Sequence, residues 1–296
     1  MKSLHEVPGF HTWKTIEKIS RGDSYDEKYA ITNKHHEKFL LRITKATDYD
    51  LKKRGLMNLV LVDHEVSISR LLEFGNLEYG KYVYALFEWL DGDNVEETIM
   101  NYPSSEQYTL GKQAGQTLYD IHKTPIPLNI EKWDLVYASR IKRKLESYTQ
   151  STFTLEKAQS LIAYIHENKH LVEDRPNCLL HGDYQLKNMM IQNHHIKIFD
   201  FDQIAYGDPW YDFIRIVPIA KDSTDFARGM IDGYFKDNVP GTFFKLLKLY
   251  IYVELLGSVS RALHFGQEEM DHFLENYRMV CEWYEKSDIP SWYKKM

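Results

Sequence analysis

His181-Gly182-Asp183-Tyr184-Gln185-Leu186-Lys187-Asn188 is followed, after one short apolar segment, by Ile198-Phe199-Asp200-Phe201-Asp202. As chemistry this is a carboxylate, an amide five residues on, and a second carboxylate at the end of an apolar strand. Asp183, on a loop, can project into a cleft and accept the proton of an acceptor hydroxyl. Asn188 and Asp200 offer the hard oxygen donors that hold Mg²⁺ against nucleotide phosphates. Each residue alone has an ordinary structural reading: a loop Asp accepting backbone N–H groups, an Asn ending a turn.

A protein kinase catalytic loop reads His-Arg-Asp, four residues, then Asn; here Gly182 stands at the arginine position. HGDxxxxN followed by Ile-Phe-Asp resembles the aminoglycoside phosphotransferase family, with choline kinases as more distant relatives. Gly207-Asp208-Pro209-Trp210-Tyr211-Asp212-Phe213 is similar to the GDPxxD segment that these enzymes carry after the metal-binding Asp. Three linked motifs in order make the signal specific. The resemblance implies an α+β, bilobal, protein-kinase-like fold, with a small antiparallel-sheet N-lobe carrying one helix (1–90) and a mainly helical C-lobe (91–296). It also implies Mg²⁺ as cofactor and ATP or GTP as phosphoryl donor.

Working outward, the first ninety residues carry β-branched and aromatic runs at Phe10–Ile19, Lys28–Thr32, Lys38–Thr44 and Lys81–Glu88. Turn-formers Gly22-Asp23, Asn33 and Gly80 separate them. A helical spacing falls at Asp63–Phe74. After Glu88-Trp89-Leu90-Asp91-Gly92 the pattern changes to amphipathic segments near 94–101, 105–123, 131–150 and 154–173, with an N-cap expected at Ser104-Ser105-Glu106. Two short strands around a loop occupy 178–202. Helices resume from Asp208, broken at Pro218 and at Val239-Pro240-Gly241, and run to about Lys286.

The remaining candidates follow from the resemblance. It aligns Arg42, in the alternating strand Phe39-Leu40-Leu41-Arg42-Ile43, with the phosphate-binding lysine of kinases; a guanidinium suits phosphate oxygens. Glu65, on the following helix, becomes its ion-pair partner; an exposed strand Arg and a solvated helix Glu are the plain alternative. Ser20–Tyr25 stands where a phosphate loop belongs, with Ser24 and backbone amides as its donors, although it holds a single glycine. Glu88 and Trp89 fall at the interlobe hinge, whose backbone pairs with a purine edge. His181 is expected to pack and hold the catalytic loop, and Asp208 to brace that loop by accepting backbone or His181 hydrogen bonds. Asp202 stands where many relatives carry Glu, and ligation, orientation of a neighbour and substrate contact all stay open for it. Lys187 lies four residues after Asp183; the serine/threonine kinase lysine position is Gln185.

The 43% hydrophobic and 14% aromatic content supports a packed core and excludes a disordered chain. At a formal charge of −6, with basic residues scattered, no nucleic-acid face is expected. The acidic excess leans towards residues 181–296, which favours a cationic or neutral acceptor. Cys178 and Cys281 lack metal-ligand spacing, and the apolar run 246–259 is interrupted by Lys248 and Glu254. With no signal-like start, a cytoplasmic protein without membrane contact is expected. Gly111–Thr117 superficially resembles a P-loop, but its lysine precedes the second glycine and the segment reads as helix. His35-His36 and His194-His195 read as solvated turns. The expected activity is transfer of a γ-phosphoryl group to a hydroxyl of a small molecule, an aminoglycoside by resemblance. A kinase of choline, homoserine or a sugar, or a silent nucleotide-binding protein of the same fold, are the alternatives.

Overall fold

The computed structural model describes residues 3–20, 26–46 and 56–293. Period-two alternation builds the first layer. Strands β1 (Trp13–Ile19), β2 (Glu27–Asn33), β3 (Lys38–Lys45), β4 (Leu71–Leu77) and β5 (Tyr82–Glu88) form an antiparallel sheet in the order β1-β2-β3-β5-β4. On one face Ile31, Leu41, Ile43, Leu77, Tyr84 and Leu86 close over Leu4 and Val7 as a separate small core. Successive side chains alternate between faces, so Leu40 and Arg42 on β3 turn to the other side and line the cleft. The expected strands stand within a few residues, except that Phe10–Thr12 is a 3-10 turn leading into β1.

The expected helix at Asp63–Phe74 is not formed. Helical residues 56–61 (α1) lie upstream, 63–66 form a turn, and Leu71 begins the edge strand β4. Arg70 accounts for the change: its guanidinium donates to the carbonyls of Val62, Asp63, His64 and Val66. Carbonyls that would otherwise continue a helix are capped there by a side chain, and the chain leaves in extended form. Ser67 O and Ser69 N then bond Ile198, tying this segment to the strand that precedes Asp200.

The second lobe is helical: α2 (Val95–Thr98), α3 (Ser104–His122), α4 (Trp133–Thr149), α5 (Ala158–Asn168), α6 (Ile216–Asp222), α7 (Thr224–Phe235), α8 (Phe243–Phe265) and α9 (Gln267–Trp283). No side chain caps α3, which starts directly after Pro103. Pro218 does not break α6; it occupies the first turn, where the missing N–H has no intrahelical partner to lose. Short strands β6 (Asp93–Asn94), β8 (Met189–Gln192) and β9 (His195–Ile198) form one small sheet, and β7 (Cys178–Leu180) pairs with β10 (Ala205–Gly207). The architecture is α+β, bilobal and protein-kinase-like. Among the described residues no helix is long and apolar enough to cross a membrane.

Helices α3 and α7 meet backbone to backbone. A Cβ at Gly111 would stand 2.2 Å from Phe226 O, at Gly115 2.0 Å from Met230 O, at Gly229 2.1 Å from Tyr108 O and at Gly233 2.2 Å from Lys112 O. Glycines from both partners thus bring the axes together at a distance any larger residue forbids. Gly115→Ala should destabilise the fold by about 1–3 kcal/mol, the cost of overpacking, measured as a lowered urea midpoint at unchanged slope.

Candidate active site

Strand β7 is fully buried against β10 and delivers the chain into the catalytic loop. Gly182 turns it with φ +80°, and a Cβ there would lie 2.0 Å from Gln203 O, so both conformation and space demand glycine. Tyr184, next after Asp183, is buried completely, and its hydroxyl donates to Ala114 O on α3 at 2.7 Å. The loop is thereby pinned to the α3 and α7 pair. A short 3-10 turn, Leu186–Asn188, ends it.

Asp183 and Asn188 are brought together. Asn188 Nδ2 donates to Asp183 O at 2.8 Å and to Asp183 Oδ2 at 3.1 Å, and Gln185 Nε2 donates to the same Oδ2 at 2.7 Å. The other oxygen, Asp183 Oδ1, is buried and accepts no hydrogen bond. Arg215 Nε lies 3.0 Å from it as an ion pair, yet off the axis of a hydrogen bond, and that N–H is itself unsatisfied. Gln185 and Arg215 carry no recognisable motif of their own and were missed from sequence. Lys187 contributes a backbone carbonyl to Asn94 Nδ2 at 2.9 Å.

Across the cleft, Arg42 is buried among three carboxylates. Its Nε and Nη2 donate to Asp26 Oδ2 at 3.1 and 2.7 Å, Nη1 donates to Asp200 Oδ1 at 3.0 Å, and Nη2 also meets Asp202. Burial opposes the guanidinium charge, but the fields of Asp202, Asp200 and Asp26 outweigh it and raise the pKa. Glu65 is not the partner that was expected: it sits in the turn after α1, and the arginine of β3 pairs instead with Asp200 and Asp202. Asp26, absent from the sequence candidates, also accepts Thr44 Oγ1 at 2.6 Å. Asp200 holds φ +65°, a left-handed conformation that aspartate tolerates at some cost. Ser24 lies outside the described residues. Glu88 and Trp89 both line the cleft, but the Glu88 N–H donates to Arg70 O at 2.8 Å.

His181 is wholly buried, with Nε2–H donating to Phe199 O at 3.1 Å and Nδ1 accepting from the Asp183 N–H at 3.3 Å. Burial lowers its pKa. The brace beneath the loop is Asp212, not Asp208. Asp212 Oδ2 accepts from His181 N–H and Oδ1 from Gly182 N–H, each at 2.8 Å, while His122 Nε2 lies 3.1 Å from Oδ2. His122 Nδ1 in turn meets Tyr234 Oη at 2.9 Å. Burial pushes the Asp212 pKa up, but the His122 hydrogen bond, the charges of His122 and His181 and the Gly182 N–H lower it overall. Asp208 faces away from the loop: it takes Arg175 at 2.8 and 2.9 Å, Tyr250 Oη at 2.6 Å and the Trp210 N–H at 3.1 Å.

The cleft between these groups encloses about 1240 Å³. Leu40, Arg42, Phe87 and Trp89 line one end. Arg140 and Lys144 of α4, Tyr211, Ile214 and Arg215, and Glu254, Ser258 and Arg261 of α8 line the other, with Asp200 and Asp202 between.

A model of the phosphotransferase enzyme family matches residues 15–243. Among solved structures, a thermostable mutant of aminoglycoside phosphotransferase APH(4)-Ia in apo form is similar over 92% of this chain and 95% of that one, at 15% identity and TM-score 0.65. Aminoglycoside 2'-phosphotransferase-IIIa, in its GDP complex, is similar over 90% and 92%, at 16% identity and TM-score 0.64. The amicoumacin kinase hAmiN, with AMP-PNP, Ca²⁺ and Ami, is similar over 93% and 90%, at 14% identity and TM-score 0.62. No curated protein matches the chain.

Two measurements check the brace. Asp212→Ala strands a buried histidine and two loop N–H groups and should cost about 3–5 kcal/mol in urea unfolding; a loss under 1 kcal/mol would contradict its assigned place. His181 has a folded pKa below its ordinary 6.5, so the unfolded chain binds a proton that the folded chain refuses. Stability is therefore full above that value and falls as the pH drops below it. His181→Gln should flatten this dependence between pH 7 and 5, compared with the parent chain by denaturant titration.

Proposed function

The chain belongs to the phosphotransferase enzyme family, and from that premise we propose that it moves the γ-phosphoryl group of ATP or GTP to a hydroxyl of a small molecule, with Mg²⁺. The observation that carries this reading is Asp183 Oδ1: a carboxylate oxygen that accepts no hydrogen bond and is met by the Arg215 ion pair, on a loop held by Asp212 and by Tyr184. An oxygen so placed can orient an acceptor hydroxyl and take its proton late in transfer. Phosphoryl transfer depends mainly on positioning and charge neutralisation, so a fixed loop matters more than a strong base. Gln185 and Asn188 bind Oδ2 and keep Oδ1 as the reactive oxygen.

The residues fit a divalent cation. Asn188 Oδ1, which accepts no hydrogen bond from the described residues, and the Asp200 carboxylate are hard oxygen donors of the kind such an ion takes. Such an ion, when bound, neutralises the phosphates. Arg42 is the candidate phosphate contact, reached from a strand that faces the cleft. Since the Glu88 N–H is already used, the base edge of a purine falls to the peptide groups after it, at Trp89 and Leu90. Asp202 works here through Arg42, which it holds beside Asp200.

An aminoglycoside acceptor rests on the resemblance and on what similar structures hold, such as the APH(4)-Ia complex with AMP-PNP and hygromycin B. The cleft itself gives a polycation little to bind, because Arg140, Lys144, Arg215 and Arg261 face the acceptor end with Glu254 alone among the acids of that wall. A hydroxylated metabolite is better supported.

Asp183→Asn should lower nucleoside diphosphate release by about 10²–10⁴-fold, the usual worth of a positioned general base, while nucleotide still raises the melting temperature. Asp200→Ala should abolish the Mg²⁺ dependence of release. Undiminished turnover in Asp183→Asn with every acceptor that the parent chain uses would sink the assignment.

A further inference from the structure

We infer that the acceptor is anionic: a hydroxy compound whose carboxylate or phosphate is bound by Arg140, Arg215 and Arg261 while its hydroxyl faces Asp183. This rests on the phosphotransfer reading and deepens it. The chain as a whole carries a formal charge of −6, so a basic wall inside the cleft runs against its composition. Two helices build that wall. Arg140 and Lys144 lie one turn apart on α4, and Glu254, Ser258 and Arg261 recur at helical spacing on α8.

The charges of this wall are not mutually cancelled. Lys144 Nζ meets Glu254 Oε2 at 2.9 Å, and Glu254 Oε1 accepts Tyr211 Oη–H at 2.9 Å, so both oxygens of the one acid on the wall are taken. Gly257 makes that pairing accessible: a Cβ there would stand 1.8 Å from Lys144 Cδ, and without it the lysine stem lies across α8. Arg140 has no carboxylate partner among the described residues. Its guanidinium donates to the neutral Tyr211 hydroxyl and stands 4.8 Å over that ring. Arg261 has, among the described residues, a loose contact of 3.5 Å to exposed Glu269 and stands 5.9 Å over the Phe265 ring. Arg215 lies against Asp183 with its Nε–H unsatisfied.

Guanidinium groups offer paired N–H donors that match carboxylate or phosphate oxygens. An anionic group on the acceptor satisfies donors that the fold leaves open, and its position at Arg215 is adjacent to Asp183 Oδ1. In the transfer, the bond between γ-phosphorus and the β,γ-bridging oxygen breaks and a new bond to the acceptor oxygen forms. The hydroxyl proton passes to Asp183, and nucleoside diphosphate leaves. A polycationic acceptor instead meets Arg140, Arg215 and Arg261 as like charges along this wall.

The test is calorimetric titration of the full chain, loaded with Mg²⁺ and ADP, with probes that share a scaffold and differ in charge: ribitol, ribonate, ribose 5-phosphate and, for the opposite sign, kanamycin. At least one anionic probe should bind tenfold or more tightly than ribitol, and kanamycin more weakly than that probe. The carboxylate and phosphate arms then tell which anion is preferred. Arg140→Gln combined with Arg261→Gln should remove the preference, and Arg140→Lys, which keeps the charge, should restore part of it in an equally stable protein. Preference for kanamycin, binding of no anionic probe, or a preference that survives the double substitution overturns the inference. Failure of the phosphotransfer reading is a separate result: diphosphate release untouched by Asp183→Asn, whatever the order of probe affinities.

Discussion

Asp212 is buried to 2% exposure with three donors on its two oxygens. A carboxylate removed from water is costly unless its acceptor capacity is filled, and filling it here dictates geometry. Two of the donors are consecutive N–H groups, at His181 and Gly182, which fixes the backbone where it turns into the catalytic loop. His122 supplies the third from α3 and is backed by Tyr234 from α7. The direction of Asp183 thus follows from a buried charge whose partners would be left unpaired if the loop moved.

The second constraint runs between the lobes. Arg42 on β3 reaches Asp200 and Asp202 on the loop after β9, and Asp26 on the sheet side completes its surroundings. The same loop is tied to the sheet through Ser67, Ser69 and Ile198. A strand residue of the sheet lobe and an aspartate of the helical lobe therefore share one network, in which the position of either charge sets that of the other.

Much of this was legible in the sequence, and the rest was hidden for identifiable reasons. The period-two runs gave away the sheet because alternation survives in the residues themselves, and Asp183, Asn188 and Asp200 were recognisable because their chemistry is tied to short spacings. Asp208 and Asp212 could not be told apart that way: both are aspartates of one motif, and only the turn of the Pro209–Arg215 segment sends the second towards His181 and the first towards Arg175. Glu65 failed because Arg70, a residue with no motif, ends α1 by capping its carbonyls. Asp26 and Arg140 act through partners far away in the chain, which no local pattern reveals. The sign of the cleft was likewise invisible in a net charge, since a handful of side chains on α4 and α8 face inward while the acidic excess is spread elsewhere.

The glycine-lined crossing of α3 and α7 has a bearing on how precision is kept in this molecule. Interfaces built from long side chains are compliant, because rotamers can change to absorb a small displacement. Here the contact is main chain on main chain, with carbonyl oxygens standing where Cβ atoms would be. Tyr184 and His122 both take their bearings from α3, and Tyr234 takes its own from α7. The loop bearing Asp183 is thus referred to a stiff datum, one that no change of rotamer can shift.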